Sequence, residues 1–455
     1  METILIVEIS LFFLKGSPKI VVPKRDSIAF DFIHRNNTVC WISHGSSRQP
    51  SLESFIPVSS QSKSELMCTN VSESSSENRI LSFHSWSLPQ PDMFDFNTVN
   101  HIAVDWLSNN WYFLDDTREL VLLCGLRFIP LKFLCKVVLS VGISKPRGIA
   151  LDPNEGLMFL TIWGANKAKL IRANLDGREN RILVDTKIVY PSGITIDYPN
   201  KHVYWVDTYL DYIERINYDG TGRKTILRGS PTQGLHSATV FENILYVTSW
   251  KNNSILWLDR FKPDTQHGTL IEGIRRPFTT KVYHRQRQPC KHRAQSLKAT
   301  TNKTNETYFH RCQLSNPCGH LCIPTKSYPY YKCICKAGYE LATNGRRCIK
   351  AVRPQYLLFG QQQPGIIRGI PINVGDGIEE IGGDKLINVQ KRSDSDTRDL
   401  SYGFDANKED DIEAILPIIN LSQPTAMDLH DTGSNVHLYI ADSKKLTIER
   451  QGAQL

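Results

Sequence analysis

A two-part pattern returns along this chain every 40 to 50 residues. A short apolar strand ends in Asp, and about seven residues later an aromatic strand follows. His101-Ile102-Ala103-Val104-Asp105 leads to Tyr112-Phe113-Leu114-Asp115. Gly148-Ile149-Ala150-Leu151-Asp152 leads to Phe159-Leu160-Thr161, and Gly193-Ile194-Thr195-Ile196-Asp197 to Tyr204-Trp205-Val206-Asp207. Weaker copies flank these: Ile28-Ala29-Phe30-Asp31 with Val39-Cys40-Trp41-Ile42, and Ser237-Ala238-Thr239-Val240 with Leu245-Tyr246-Val247-Thr248. Ile4-Leu5-Ile6-Val7 supplies the aromatic-type strand of one more. Repeats of this length built from short strands and turns are the signature of β-propeller blades. Six copies close a ring and remove the exposed edges an open array would carry. The half-copy at the N-terminus predicts a last blade that mixes strands from both ends of the ring.

Turn chemistry agrees. Asn174-Leu175-Asp176-Gly177 and Asn217-Tyr218-Asp219-Gly220 sit at one offset in adjacent copies. Asp-Gly supplies the positive backbone dihedrals of a tight hairpin. The strands that follow, Arg181-Ile182-Leu183-Val184 and Lys224-Thr225-Ile226-Leu227, also match. An unrelated all-β sandwich would not produce these paired registers.

Tyr204-Trp205-Val206-Asp207 resembles the Tyr-Trp-Thr-Asp repeat of the low-density lipoprotein receptor family. Ser192-Gly193-Ile194-Thr195-Ile196-Asp197, Tyr209-Leu210-Asp211-Tyr212-Ile213-Glu214 and Asp219-Gly220 resemble it as well. The large, multi-propeller receptor-related members are the nearest in pattern, and the likeness is strongest from 101 to 261. The resemblance implies that the closing Asp hydrogen-bonds backbone between blades. Three copies depart from it, with Ser43, Ile162 and Ser249 in that place.

Eleven cysteines fall into two groups and a remainder. Cys312, Cys318, Cys322, Cys333, Cys335 and Cys348 lie within 37 residues, spaced C-x5-C-x3-C-x10-C-x-C-x12-C. With Tyr331 to Tyr339 they complete an epidermal-growth-factor-like signature. So small a module cannot bury enough apolar surface unaided, so disulfides hold it. Six cysteines allow fifteen pairings. The resemblance implies Cys312 with Cys322, Cys318 with Cys333, and Cys335 with Cys348. A zinc site would need paired C-x2-C knuckles, which are missing. Cys40 is expected to pair with Cys68, and Cys124 with Cys135, each within one blade, against the alternative of buried free thiols. Cys290 is left over, as a free thiol or an intermolecular link. Sequons stand at Asn36, Asn70, Asn252, Asn302, Asn305 and Asn420. With the disulfides they point to an oxidising, extracellular compartment.

The expected organisation is a six-bladed propeller over 1–286, a basic and Thr/Asn-rich linker over 287–311, the growth-factor-like module over 312–349, and a partial second propeller over 350–455. The stretch 382–413 is charged and poor in apolar residues, so a disordered insertion is expected there. No run of eighteen apolar residues encodes a membrane span. Ile4 to Leu14 reads as strand rather than signal peptide, because Glu2 and Glu8 interrupt it and no basic region precedes it. The family's acidic ligand-binding repeats and internalisation motif are missing, so the chain reads as part of a larger type I receptor facing the cell exterior or the endosome lumen.

Function follows from these expectations. Repetition of Asp argues for architecture, since an active site needs unlike residues converging on one place. The expected role is a protein-binding and ligand-release platform of an endocytic or Wnt-type signalling receptor. The alternatives are a nidogen-like matrix or adhesion protein, or, further off, a lactonase-like propeller hydrolase with a channel metal. Thr307-Tyr308-Phe309-His310-Arg311 offers no carboxylate before the first module cysteine, so no cofactor is expected in this segment; calcium belongs to ligand-binding repeats elsewhere. The net charge is +8. Its excess gathers in the basic run His284 to Arg293, a solvated linker or an attractor of sulfated glycans and acidic proteins. No nucleic-acid-binding motif is present. Histidine charges between pH 7 and 5. His202, His236 and His284 are therefore the candidates for acid-dependent ligand release.

Overall fold

The computed structural model describes residues 4–6, 19–22, 26–44, 64–70, 86–88, 96–128, 131–140, 142–163, 168–229, 233–274, 276–290, 296–298, 308–314, 316–336, 339–350, 355–361, 366–372, 414–415, 421–431 and 436–453. Val7, the insertion expected over 382–413, and Asn302, Asn305 and Asn420 lie outside them.

The chain is an all-β six-bladed propeller followed by a disulfide-rich growth-factor-like module and two three-stranded antiparallel sheets. Five consecutive antiparallel sheets of four strands make the first five blades. Their inner strands are Asp26–Ile33, Val99–Asp105, Pro146–Asp152, Pro191–Asp197 and Leu235–Phe241. Each inner strand is the first half of the sequence repeat, and the aromatic half lies hydrogen-bonded beside it. Thr279 to Tyr283 occupies the sixth position. Val282 packs against Phe241 and Tyr246 of the fifth blade. Its neighbour Tyr283 packs against the Phe30, Phe32 and Trp41 cluster of the first. Adjacent residues of an extended strand face opposite sides, so one short segment joins both ends of the ring. Ile4–Ile6 pairs with Lys19–Val22 in a separate two-stranded sheet.

The same alternation builds every interface. On the second strand of the fourth blade, Trp205 joins a cluster with Phe159 and Leu170 of the third. Tyr204 and Val206 face the other way, toward Leu235, Val240 and Leu245 of the fifth. Gly148 and Gly193 are required by close approach. A β-carbon on Gly148 would stand 2.5 Å from the Ser192 carbonyl oxygen, and one on Gly193 2.6 Å from the Ser237 Cα.

The repeated Asp residues are structural. The Asp207 carboxylate accepts the backbone N–H of Val189, Tyr190, Tyr209 and Leu210, tying the entry loop of its blade to the turn after the aromatic strand. Asp442, in the C-terminal sheet, accepts the N–H groups of Ser422, Gln423, Lys444 and Lys445 in the same pattern. Where the fifth blade has Ser249, the hydroxyl donates to the Gln233 carbonyl and accepts the Asn252 N–H, so part of the tie survives. Where the third has Ile162, the side chain is wholly buried and apolar packing takes over.

Disulfides join Cys40 to Cys68 and Cys124 to Cys135, each pair directly opposite across neighbouring strands of one blade. In the module Cys312 bonds Cys322, Cys318 bonds Cys333, and Cys335 bonds Cys348. Cys290 is exposed. Beyond the module, Gln355–Gln361, Ile366–Ile372 and Ala414–Ile415 form one three-stranded sheet. Pro424–Asp431, Val436–Asp442 and Thr447–Ala453 form another. Among the described residues no helix is long and apolar enough to cross a membrane.

Trp205 is 0% exposed and its indole N–H reaches the Tyr212 hydroxyl. Trp205→Ala is expected to cost about 3–5 kcal/mol of stability. Thermal unfolding and secreted yield should both fall, whatever ligand is tested. Normal secretion with loss of one ligand would show that Trp205 acts at a surface instead.

Candidate ligand-binding face

The entry to each inner strand and the exit from its neighbour lie at one end of the ring, because the two strands run antiparallel. Pro146 pairs with Ile162, Pro191 with Asp207 and Leu235 with Ser249. Aromatic side chains gather at this end. The Arg147 guanidinium lies 4.0 Å over the Trp163 ring, and Trp163 meets Tyr190 edge-on at 4.9 Å. Tyr190 meets Tyr209 at 5.5 Å. On the fifth and sixth blades His236 stacks on Trp250 at 4.1 Å, and both contact Phe278. Tyr209 is 65% exposed and Tyr190 41%. Exposed aromatics held rigidly by their neighbours supply large contact area with little entropy left to lose.

The central channel holds a cavity of about 50 Å³ lined by residues of all six blades, among them Asp31, His101, Ser237 and Lys281. Asp31 is the single carboxylate among its described lining residues, 3.6 Å from the Lys281 ammonium. A channel metal of the hydrolase type needs several converging carboxylates or amides, and this lining does not supply them. His320, Cys335 and Cys348 also converge, but both sulfurs are spent in a disulfide, and the His320 Nδ1 accepts the Lys336 N–H.

The other end of the channel is stopped by the chain itself. Arg287 donates to the Ile196 carbonyl and the Thr195 hydroxyl. Gln288 donates to the Phe32 carbonyl and accepts the His34 N–H. The Pro289 carbonyl accepts from Trp106 and Asn154. Of the basic run, Arg287, Gln288 and Pro289 are held against the ring, while Arg285 is exposed. The Arg287 guanidinium is committed to the Ile196 carbonyl and the Thr195 hydroxyl. Lys291, His292 and Arg293 lie outside the described residues.

The growth-factor-like module sits against the second and third blades. Leu321, Ile323 and Ile334 enter one apolar cluster with Tyr112, Leu134 and Leu151. Asn110 donates to the Cys322 carbonyl at 2.7 Å and Gln313 to the Trp106 carbonyl at 2.6 Å. Lys332 pairs with Asp176 at 3.0 Å and Lys326 with Glu155 at 3.1 Å. Module and propeller thus share one apolar cluster.

The histidine candidates do not converge. His236 lies on the aromatic face, its Nδ1 against the Phe278 carbonyl. Burial, with Arg147 nearby, pushes its pKa down to about 4 although that carbonyl opposes the shift. Burial therefore favours the neutral form of His236 between pH 5 and 7. His202 is at the opposite end, 2.9 Å from Arg215. Burial first, and then that guanidinium, lowers its pKa too. His284 accepts the Gln286 N–H and packs on Phe241, also at the opposite end. Asn36, Asn70 and Asn252 are exposed. Sequence reasoning missed Trp163, Trp250 and Phe278. A signal was there: Trp follows the aromatic strand at the same offset in the third and fifth copies.

No protein-family model matches the chain. A vitellogenin receptor of Solenopsis invicta is 31% identical over 263 residues, 58% of this chain and 13% of the relative. The vitellogenin receptor of Drosophila melanogaster is 30% identical over 263 residues, 58% of this chain and 12% of its own length. Over those 263 residues the chain is similar to these receptors. It spans about an eighth of the length of these curated relatives. Among solved structures, a nidogen/laminin complex gives a TM-score of 0.43 at 21% identity, covering 54% of this chain and 80% of that one. A Staphylococcus aureus virginiamycin B lyase gives 0.36 at 17% identity, covering 53% and 69%. The fold rests on the chain's own sheets and registers.

Two expected outcomes follow from the packing. Leu321→Asp places a charge in the cluster shared by module and blades. It should lower the calorimetric unfolding temperature of the propeller as well as the module; an unchanged propeller transition would show that they are uncoupled. His236 is neutral when folded and has an ordinary pKa near 6.5 when unfolded. Its contribution is intact above about pH 6.5 and is lost as pH falls toward 4. Between those values His236→Phe should show a shallower decline of stability with acid than the unaltered chain, measured by denaturant titration at a series of pH values.

Proposed function

We propose that the chain is an ectodomain segment of a lipoprotein-receptor-like endocytic receptor whose propeller grips a protein ligand with its aromatic face. The observation that carries this is the run from half-buried Trp163 to the exposed Tyr190 and Tyr209, continued by half-buried Trp250 and Phe278 around the channel mouth. The opposite end is covered by the chain's own residues 287–289 and by the module, which leaves the aromatic end for a partner. Two matching relatives are vitellogenin receptors, so a yolk-type lipoprotein is the ligand class we assign. Five disulfides fit an extracellular setting. That the relatives are receptors supports a binding rather than catalytic role.

In this reading the first propeller occupies 1–286 and the module 312–349, working as one rigid unit joined by the docked start of the 287–311 segment. The sheets from 350 to 455 begin a second array. The module works without calcium, because no carboxylate precedes Cys312 between Thr307 and Arg311. Acid-dependent release is not assigned to His236.

The test is binding of purified vitellogenin to the secreted chain. Tyr190→Ala with Tyr209→Ala should weaken it about tenfold or more, as loss of central aromatic anchors does. Phe261→Ala, 67% exposed on the end facing away from the aromatic run, should leave it unchanged. Equal binding by both variants would remove the aromatic face from the interface.

A further inference from the structure

The aromatic face carries one of the exposed sequons, Asn252-Asn253-Ser254, in the turn directly after Trp250. Asn252 is exposed, and its backbone N–H is fixed by the Ser249 hydroxyl. Among the described contacts its side-chain amide makes no hydrogen bond. Asn70 differs, since its amide oxygen receives the Thr38 hydroxyl. Asn253 takes a left-handed backbone, φ 48°, and its side-chain oxygen accepts the Arg276 N–H, so the turn holds one shape with Asn252 at its outer corner.

Ser254 adds an independent observation. It is 2% exposed, and among the described residues its hydroxyl has no hydrogen-bond partner. A buried hydroxyl without a partner destabilises a fold relative to alanine in the same place. Folding therefore gives no reason for serine at this position. A sequon does, because it requires a hydroxyl two residues after the asparagine.

We infer that Asn252 carries an N-linked glycan that stands at the rim of the aromatic face and screens the Trp250 and Phe278 side of it from large ligands. The glycan is bulky and hydrated. It would leave the Trp163, Tyr190 and Tyr209 stretch on the third and fourth blades as the open part of the face. The screening half of this inference rests on the aromatic face being the ligand site; the modification half does not.

Two measurements test it on the full chain secreted from animal cells. In the first, the chain is treated with peptide N-glycosidase in heavy-oxygen water and digested. Asn252 should be recovered mainly as aspartate carrying the heavy oxygen, and unmodified Asn252 would overturn the site. In the second, vitellogenin binding is compared for the unaltered chain, Asn252→Gln and Ser254→Ala. Both variants lose the sequon, and Ser254→Ala also removes the orphan hydroxyl, so it is expected to fold at least as well. Each should bind about threefold tighter or more. Unchanged binding, alongside a loss in the Tyr190→Ala, Tyr209→Ala variant, would overturn the screening while leaving the face reading intact. If that aromatic variant also binds normally, the face reading fails, the screening fails with it, and the mass measurement alone decides the glycan.

Discussion

The packing of blade on blade depends on a strand whose two sides are both buried. In a free-standing sheet one side meets solvent, and apolar and polar residues alternate. Here Tyr204 and Trp205 are neighbours in sequence and both nearly inaccessible, because each faces a different blade. Such a strand is stable only between two partners, so each blade needs the next and the series must close. Closure falls to Val282 and Tyr283, which divide the same way between the fifth blade and the first. The ring is therefore held at its seam by a segment with no Asp motif and no Asp-Gly turn of its own.

The seam also sets the two ends of the molecule apart. Immediately after Tyr283 the chain turns under the ring. Arg287 and Gln288 then satisfy carbonyl groups of Ile196 and Phe32 that would otherwise face the channel end. The module follows and takes an apolar position on the second and third blades through Leu321, Ile323 and Ile334. A small disulfide-held module has little core of its own, and sharing one with the blades supplies what it lacks. With this end occupied, the opposite end keeps exposed aromatic rings whose positions are fixed by stacking and by the Asp207-type ties beneath them.

Charge and acid response change meaning once burial is known. Arg287 belongs to a basic run, yet its guanidinium is consumed by backbone oxygen and lies 5.0 Å over the Tyr198 ring. His236 has a ring between Trp250 and Phe278 that keeps the charged form from solvent. Neither environment is encoded near the residue. Arg287 takes its partners from the fourth blade, and His236 takes Trp250 from its own blade and Phe278 from the segment that closes the ring.

The sequence by itself determined the elements that repeat. Blade length, the Asp-Gly hairpins at Gly177 and Gly220, the alternation on the aromatic strands and the growth-factor-like cysteine spacing are local, and local periodicity reads directly as strand, turn and module. It also carried the backbone role of Asp207, through a motif repeated where geometry repeats. Only the tertiary structure decided which segment closes the ring, where residues 287–289 go, that the module shares a core with two blades, and that aromatic residues from four blades form one face. Those facts depend on contacts between residues far apart in the chain, such as Phe32 with Tyr283 or Asn110 with Cys322. No local pattern marks them, because the physical forces involved, burial and hydrogen-bond satisfaction, are indifferent to distance along the sequence.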